Sequence, residues 1–382
     1  MRVYLDNAAT TPLDPEVFQT MEPFMREFYG NPSSTHSHGR EVRTAIEQAR
    51  KTVAELLNAS PSEIFFTSGG TEADNTAICG ALKTQGMKHA ITSRIEHHAV
   101  LHTLEVLESK GEVSLSFVET DDKGRVNLDH LMHLLKENDR SLVSLMHANN
   151  EIGNLLDLKK ATQITHEFNG LMHSDTVQAM AHYPHDVKDL GTDYLIGAAH
   201  KFHGPKGVGF LYIKKESKIN PFVHGGGQER NMRGGTENVY GIVGLAKALE
   251  IAYRDMEKHR VYIQGLKNRM IAKLRESISE VNFNGLSDQN ESLYTVLNVC
   301  LPDTGANDLL LFNMDLQGVS ASGGSACNSG ALKGSHVLEA LGTPKGRAAI
   351  RFSFSKFNTE EEVDYAVQVL ENAMSPSNAH SK

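Results

Sequence analysis

Four short apolar runs, at residues 63–67, 141–146, 170–175 and 193–197, each end in small or polar residues, with segments of helical length between them. Runs this short and this uniformly apolar suit strands covered on both faces, and helices between such strands are the crossovers of a parallel sheet. Residues 40–57 carry Val42, Ala45, Ile46, Ala49, Val53, Leu56 and Leu57 as a stripe with a period of about 3.6. The expected fold class is α/β. Beyond about residue 258 the rhythm changes. Strand-like segments at 294–301 and 346–353 flank a helix candidate and a small-residue loop, and 358–363 opens a last helix with carboxylates in its first turn. The expected organisation is an N-terminal segment (1–15) packing with the small unit, a large domain (16–258), and a smaller α+β domain (259–382) ending in a short disordered tail at 375–382.

A length of 382 residues is ample for two such units, and 40% hydrophobic against 22% charged residues is a globular composition. The net charge of −9 argues against nucleic acid as a partner, since duplex binding depends on basic surface that releases counterions. No apolar run is long enough to predict a membrane helix, and the N-terminal residues lack a signal-peptide pattern, so the cytoplasm is the expected compartment. Three cysteines make no disulfide framework.

Four segments could carry chemistry. In Thr67-Ser-Gly-Gly-Thr-Glu72 a strand feeds small residues and then a helix, so backbone N–H groups near Gly70 and Thr71 could hold an anion. A plain turn with an N-cap would read the same way, and the segment is neither a Walker A sequence nor a dinucleotide fingerprint. Lys201 follows a buried strand amid histidines and apolar residues, where partial desolvation favours the neutral, nucleophilic amine. A surface lysine entering a glycine-rich turn fits as well. Asp175, with Gln178 beyond it, stands at the end of a predicted strand, where α/β folds bind ligands, though it could equally cap a helix. Cys327 lies in a loop of small polar residues that cannot bury it, so its thiol is expected to be reachable. Cys79 and Cys300 sit among apolar neighbours and are expected to be inert core residues. The 19 histidines include close pairs, but no carboxylate or cysteine partner stands at a recognised metal-ligand spacing, so no metal site is expected. Most histidines outside the candidate site are expected to be solvated.

Taken together, these segments resemble the NifS/IscS-type cysteine desulfurases of the class V aminotransferase group, which are pyridoxal-phosphate (PLP) enzymes of transferase fold type I. The likeness runs from Tyr4-Leu-Asp-Asn-Ala-Ala-Thr-Thr-Pro12 through Gly30-Asn-Pro-Ser-Ser34, Glu96-His97 and His147-Ala-Asn-Asn-Glu-Ile-Gly153. It continues through His200-Lys-Phe-His-Gly-Pro-Lys206, Gly225-Gly-Gly-Gln-Glu-Arg230, Arg233-Gly-Gly-Thr236 and Gly324-Ser-Ala-Cys327. The resemblance implies that Lys201 holds PLP as a Schiff base, Asp175 pairs with the ring nitrogen, and Gln178 binds the ring hydroxyl. His97 would stack on the ring and assist proton transfer, with Asn150 beside it at the substrate. Gly70, Thr71 and His200 would hold the phosphate. Thr236 would reach the phosphate bound by a second subunit, which makes a homodimer part of the site. Arg351 would clamp the substrate carboxylate. The implied reaction turns L-cysteine into L-alanine and leaves a persulfide on Cys327, to be passed to an acceptor protein such as an iron–sulfur scaffold or another sulfur carrier.

Two departures stand out. Ala198 occupies the position where these enzymes commonly place a serine hydroxyl on the phosphate. The chain also stops soon after its last predicted helix, which tilts the resemblance toward the NifS-like branch. Selenocysteine lyases and ordinary class V aminotransferases share the fold and the lysine; Cys327 on its loop is what separates them. A catalytically silent scaffold would have no use for the intact set of Lys201, Asp175, His97 and Arg351.

Overall fold

The computed structural model describes residues 1–138, 140–289, 291–303, 309–323, 334–343 and 347–374. Cys327 and the tail at 375–382 lie outside the described residues.

The chain opens with β1 (Val3–Tyr4), α1 (Pro15–Arg26) and α2 (Ser37–Leu56), then alternates strand and helix. The series is β2 (Ile64–Thr67), α3 (Gly70–Thr84), β3 (His89–Ser93), α4 (His98–Ser109), β4 (Ser114–Val118), α5 (Leu128–Glu137), β5 (Leu142–Ser144), α6 (Leu158–Glu167), β6 (Leu171–Ser174), α7 (Val187–Leu190), β7 (Tyr194–Ala198) and β8 (Gly209–Ile213). Seven of these strands form one sheet in the order β2-β8-β7-β6-β5-β3-β4. Only β8 runs antiparallel to its neighbours, pairing Tyr194 with Ile213 on one side and Ile64 with Tyr212 on the other. β5, β7 and β8 are buried along their whole length, as strands with helices on both faces must be. The sheet is α/β and mainly parallel.

One face packs against α2, α6 and α8 (Val239–Arg254) through residues such as Ile46, Val53, Ile164 and Leu245. The other face packs against α3 and α4 through Ala77, Ile78, Val100 and Leu104. Burying each such aliphatic side chain stabilises the fold by roughly 1.5–3 kcal/mol.

A second core follows. Here α9 (Met256–Ser277), β9 (Asn282–Phe283), β10 (Val296–Leu301), α10 (Leu310–Leu316), β11 (Val319–Ser320), α11 (His336–Ala340), β12 (Ala348–Ser353) and α12 (Glu360–Met374) form the chain's C-terminal part. β10 pairs antiparallel with β12 and β9. At the start of α12, Thr359 and Glu362 make a reciprocal cap: the Glu362 N–H donates to the Thr359 hydroxyl and the Thr359 N–H donates to the Glu362 carboxylate. The N-terminal residues belong to this second core. Val3 and Leu5 are buried in it, β1 pairs with β11, and the Ser353 N–H donates to the Leu5 carbonyl at 2.7 Å.

The histidines depart from expectation. His89, His173, His185 and His203 are buried, and His147 and His182 are half-buried. Burial keeps these rings neutral, and each bonds to a polar neighbour: His89 reaches both Ser141 Oγ (2.7 Å) and Ser116 Oγ (2.9 Å), and His182 reaches the Tyr294 hydroxyl (2.9 Å). An imidazole can donate and accept at once, so it satisfies two buried groups without bringing a charge. Cys300 is buried, whereas Cys79 is only half-buried. Among the described residues no helix is long and apolar enough to cross a membrane, and no group of three or more His, Cys, Asp or Glu could hold a metal ion.

Candidate active site

The C-terminal ends of β2, β3, β5, β6 and β7 converge, and the chain leaving each delivers one wall of a cavity of about 230 Å³. Gly70 and Thr71 follow β2, His97 follows β3, Asn150 follows β5, Asp175 and Gln178 follow β6, and Ala198, His200 and Lys201 end or follow β7. Arg351 comes across from β12, and Ala8 and Ala9 from the N-terminal segment. The cavity therefore lies between the two cores, at the strand ends where open α/β sheets bind ligands.

At one end the helix α3 begins with no side-chain cap at Gly69. Gly69 sits at φ 156° and ψ −176°, a conformation open essentially only to glycine. A Cβ on Gly70 would come within 2.9 Å of Val177 Cγ2. The first N–H groups of α3 have no acceptor within the helix, so they present partial positive charge to the cavity. His200 and Lys206 stand on the wider mouth next to them, and the His200 ring meets Thr10 Oγ1 at 3.1 Å. Burial, together with Lys201 and Lys206, lowers the His200 imidazole to a pKa of about 4, which keeps it neutral. The unpaired N–H groups and the nearby lysines make this end able to hold an anion.

Asp175, one residue beyond β6, is buried and receives the Val177 N–H at 2.9 Å. Gln178 donates to the Ala8 carbonyl at 3.0 Å. Lys201 Nζ donates to the Ala8 and Ala9 carbonyls at 2.5 and 2.9 Å, which aims its amine at the cavity from the β7–β8 connection. His97 caps α4 by accepting the Ala99 N–H on Nδ1 at 3.1 Å, so the neutral ring carries its proton on Nε2. Behind it, burial raises the Glu96 carboxyl to a pKa of about 8; Ser93 Oγ and the Met146 N–H donate to that carboxyl at 2.7 and 2.9 Å.

Arg351 is 1% exposed. Its Nη1 donates to the Asn150 carbonyl (2.9 Å) and its Nη2 to Asp6 Oδ1 (2.8 Å). Its Nε is buried without a hydrogen-bond partner among the described residues. The Ser322 hydroxyl also donates to Asp6 Oδ1, at 2.9 Å.

Nine residues singled out from the sequence thus share one cavity: Gly70, Thr71, His97, Asn150, Asp175, Gln178, His200, Lys201 and Arg351. Thr236 is not among them. It is exposed in a neighbouring depression with Thr67, Ser68 and Gly207. Sequence reasoning missed Asp74, which lines the cavity one helical turn after Gly70, and Asp6, the partner of Arg351. The i, i+4 spacing from Gly70 was the available signal for Asp74.

Comparison with known proteins agrees with this arrangement. A family model described as aminotransferase class-V matches residues 3–366. A cysteine desulfurase IscS of Dictyoglomus turgidum is 46% identical over 374 residues, covering 97% of this chain and 93% of its own. A putative cysteine desulfurase IscS 1 of Bacillus subtilis is 42% identical, covering 96% of this chain and 97% of its own. Among solved structures, a NifS-like protein superposes with a TM-score of 0.89 at 39% identity, over 97% of this chain and 99% of that one. A protein described as SspA in complex with cysteine gives 0.81 at 31% identity, over 94% and 100%. The chain belongs to the class-V aminotransferase family.

Proposed function

We propose that this protein is a PLP-dependent cysteine desulfurase that converts L-cysteine to L-alanine and leaves the sulfur as a persulfide on Cys327. The observation that carries this reading is the set of groups that line one cavity: an uncapped helix start at Gly70, the Lys201 amine, the Asp175 carboxylate and the Arg351 guanidinium. A phosphorylated pyridine aldehyde needs an anion cradle, an amine and a carboxylate in one pocket, and an amino-acid substrate needs a cation for its carboxylate. The residues present fit the group.

In this reading Gly70, Thr71 and His200 hold the phosphate, Asp175 faces the ring nitrogen, Gln178 the ring hydroxyl, and His97 the ring face. PLP, when bound, draws electrons from the substrate's Cα and so acidifies the α-proton. Lys201 then takes that proton, and Arg351 with Asn150 orients the substrate. The Cys327 thiolate attacks the substrate Sγ. An S–S bond forms, the substrate Cβ–S bond breaks with its electron pair going to carbon, and protonation at Cβ and Cα yields alanine.

Residues 16–258 would bind the cofactor, 259–382 would carry Cys327, and 1–15 would join the two across the cavity. The exposed position of Thr236 supports a homodimer in which it reaches the second subunit's phosphate. The persulfide would pass in the cytosol to an acceptor protein such as an iron–sulfur scaffold.

The test uses one preparation. Purified protein should be yellow with PLP, borohydride should fix the cofactor to Lys201, and L-cysteine with a thiol reductant should release sulfide and alanine in equal amounts. Transamination of 2-oxo acids without sulfide release would instead favour an aminotransferase, and selenide release in preference to sulfide a selenocysteine lyase.

A further inference from the structure

A buried ion pair that is not part of the cavity lining grips the edge of the large sheet. Arg50, in the apolar stripe of α2, and Glu229 are both 2% exposed at their side chains and meet at 2.8 Å. The guanidinium also lies 4.8 Å from the centre of the Phe66 ring. Beyond each other, the two charges bind the open edge of β2. The Phe66 N–H donates to Glu229 Oε2 at 2.8 Å, and Arg50 Nη1 donates to the Ile64 carbonyl at 2.8 Å. The pair thus takes the place of an eighth strand against β2, satisfying the outward backbone groups that an edge strand leaves open.

Glu229 also begins a strained turn. Glu229, Arg230 and Asn231 have φ of 45°, 56° and 66°, three consecutive non-glycine residues in the left-handed region. Such a run persists only where its surroundings hold it. Two residues on, Arg233 makes a fork of bonds to Glu72 in the first turn of α3, at 2.9 and 3.1 Å, and Glu72 also receives the Ser68 N–H at 2.9 Å. The pair therefore holds the strand that leads into the start of α3, and the turn it anchors returns to that same helix start through Arg233.

We infer that Arg50 and Glu229 are positioning residues for the anion cradle at Gly70 and Thr71: they fix β2 and the left-handed turn so that Arg233 and Glu72 set the first turn of α3. The inference rests on the reading that this cradle takes the phosphate of PLP. Its consequence is confined to the phosphate end of the cavity, because Asp175, Gln178 and Lys201 are delivered by β6 and β7.

The experiment compares the binding of PLP and of pyridoxal, which lacks the phosphate, to the apoprotein and to the variants Glu229→Gln and Arg233→Gln. Binding is followed by the fluorescence or absorbance of the ligand. In the parent, PLP should bind much more tightly than pyridoxal. Each variant should weaken PLP by about tenfold, the equivalent of one charge-assisted hydrogen bond, and leave pyridoxal binding unchanged. General loosening of the fold would weaken both ligands alike, and that result overturns the inference, as does an unchanged preference for PLP in a folded variant. Arg233→Gln removes only the half-buried far link, so it decides the matter if Glu229→Gln fails to fold. A parent that binds PLP no better than pyridoxal would sink the cofactor reading itself and the inference with it.

Discussion

Oδ1 of Asp74 lies 3.4 Å from Nε2 of His173, and the two side chains are 2% and 0% exposed. The contact looks like an ion pair and is not one. Burial first, then Asp175 and Glu96, push the Asp74 carboxyl well above the usual carboxylate range, and burial lowers His173 to a pKa of about 3. His173 is therefore neutral near pH 7 and Asp74 favours its protonated form, with His173 Nδ1 held at 2.7 Å from Ser144 Oγ. A carboxyl that stays protonated in the folded state contributes stability below its unfolded pKa, and that contribution is lost as pH rises through its folded value. Asp74→Asn mimics the protonated form. The variant should match the parent near pH 4, where an unfolded aspartate begins to ionise, and gain on it as pH rises to 7, by roughly 1–3 kcal/mol in unfolding free energy. A variant equally destabilised at both pH values would contradict the neutral-carboxyl assignment.

The buried imidazoles predict the opposite slope on the acid side. Burial lowers His173, His182 and His185 to about 3 and His147 to about 4. Groups held neutral in this way give stability that is present above the unfolded histidine pKa, near 6.5, and is lost as pH falls toward 3–4. Unfolding midpoints should therefore drop steeply between about pH 6 and pH 4, by roughly 1 kcal/mol per pH unit for each independent ring. His185 donates to the Tyr183 carbonyl (2.9 Å) and accepts from His147 Nδ1 (2.9 Å). His185→Asn can keep the first bond and not the second. It should lose about 1–3 kcal/mol at neutral pH and show a shallower acid slope, read by calorimetry across pH.

The difference between what the sequence revealed and what it concealed has a physical cause. Segments 63–67 and 193–197 are apolar because helices cover both faces, and they appear as β2 and β7 within a residue of the expected bounds. β4 was not anticipated: Ser114-Leu-Ser-Phe-Val118 is an edge strand with one polar face, so its apolar signal is halved. β8 was hidden beside the glycine-rich turn after Lys201, and its antiparallel direction depends on a tight connection rather than a crossover helix. In the site, Asp175 and Lys201 were legible because strand ends carry function in this architecture. Arg50 was not, because a buried arginine is intelligible only with its partner, and Glu229 lies 179 residues away. The histidines misled for the same reason: exposure was assigned from polarity, while the serines and carbonyls that make burial tolerable are distant in the chain.

Arg351 predicts a substrate-affinity effect. Its fork is held on one side by Asn150 and on the other by Asp6, which orients the guanidinium and leaves Nε without a partner among the described residues. Lysine keeps the charge but cannot make a fork of parallel bonds. Arg351→Lys should raise KM for L-cysteine by about 10–100-fold, corresponding to roughly 1.5–3 kcal/mol, while PLP absorbance is retained. A KM within a factor of two of the parent would remove Arg351 from the substrate carboxylate.

Cys327 predicts a separation of the two steps proposed for Lys201 and the Cys327 thiolate. Cys327→Ala should bind PLP as the parent does and release no sulfide above background with L-cysteine. With Lys201 intact, exchange of the substrate's α-proton for solvent deuterium should continue, as read by NMR. Mass spectrometry of the parent after cysteine treatment should find one added sulfur on Cys327. Sulfide release at the parent's rate by the alanine variant would place the sulfur-accepting group elsewhere.

Ala198 gives the last prediction, because it tests a gap rather than a contact. It ends β7, is 1% exposed, and lines the cavity beside Gly70, whose Cβ would stand 3.8 Å from the Ala198 methyl. That places the methyl against the start of α3, where the phosphate is proposed to sit. Ala198→Ser adds one oxygen at a position with ligand space in front of it, so no core side chain must move. If the hydroxyl meets the phosphate, it adds a hydrogen bond to a charged group, and PLP affinity should rise by about 3–10-fold, or roughly 0.7–1.4 kcal/mol. The gain should vanish when pyridoxal replaces PLP. A serine variant with unchanged or weaker PLP binding would mean that the phosphate is already saturated by α3, His200 and Lys206, and that the alanine is compensated within this chain.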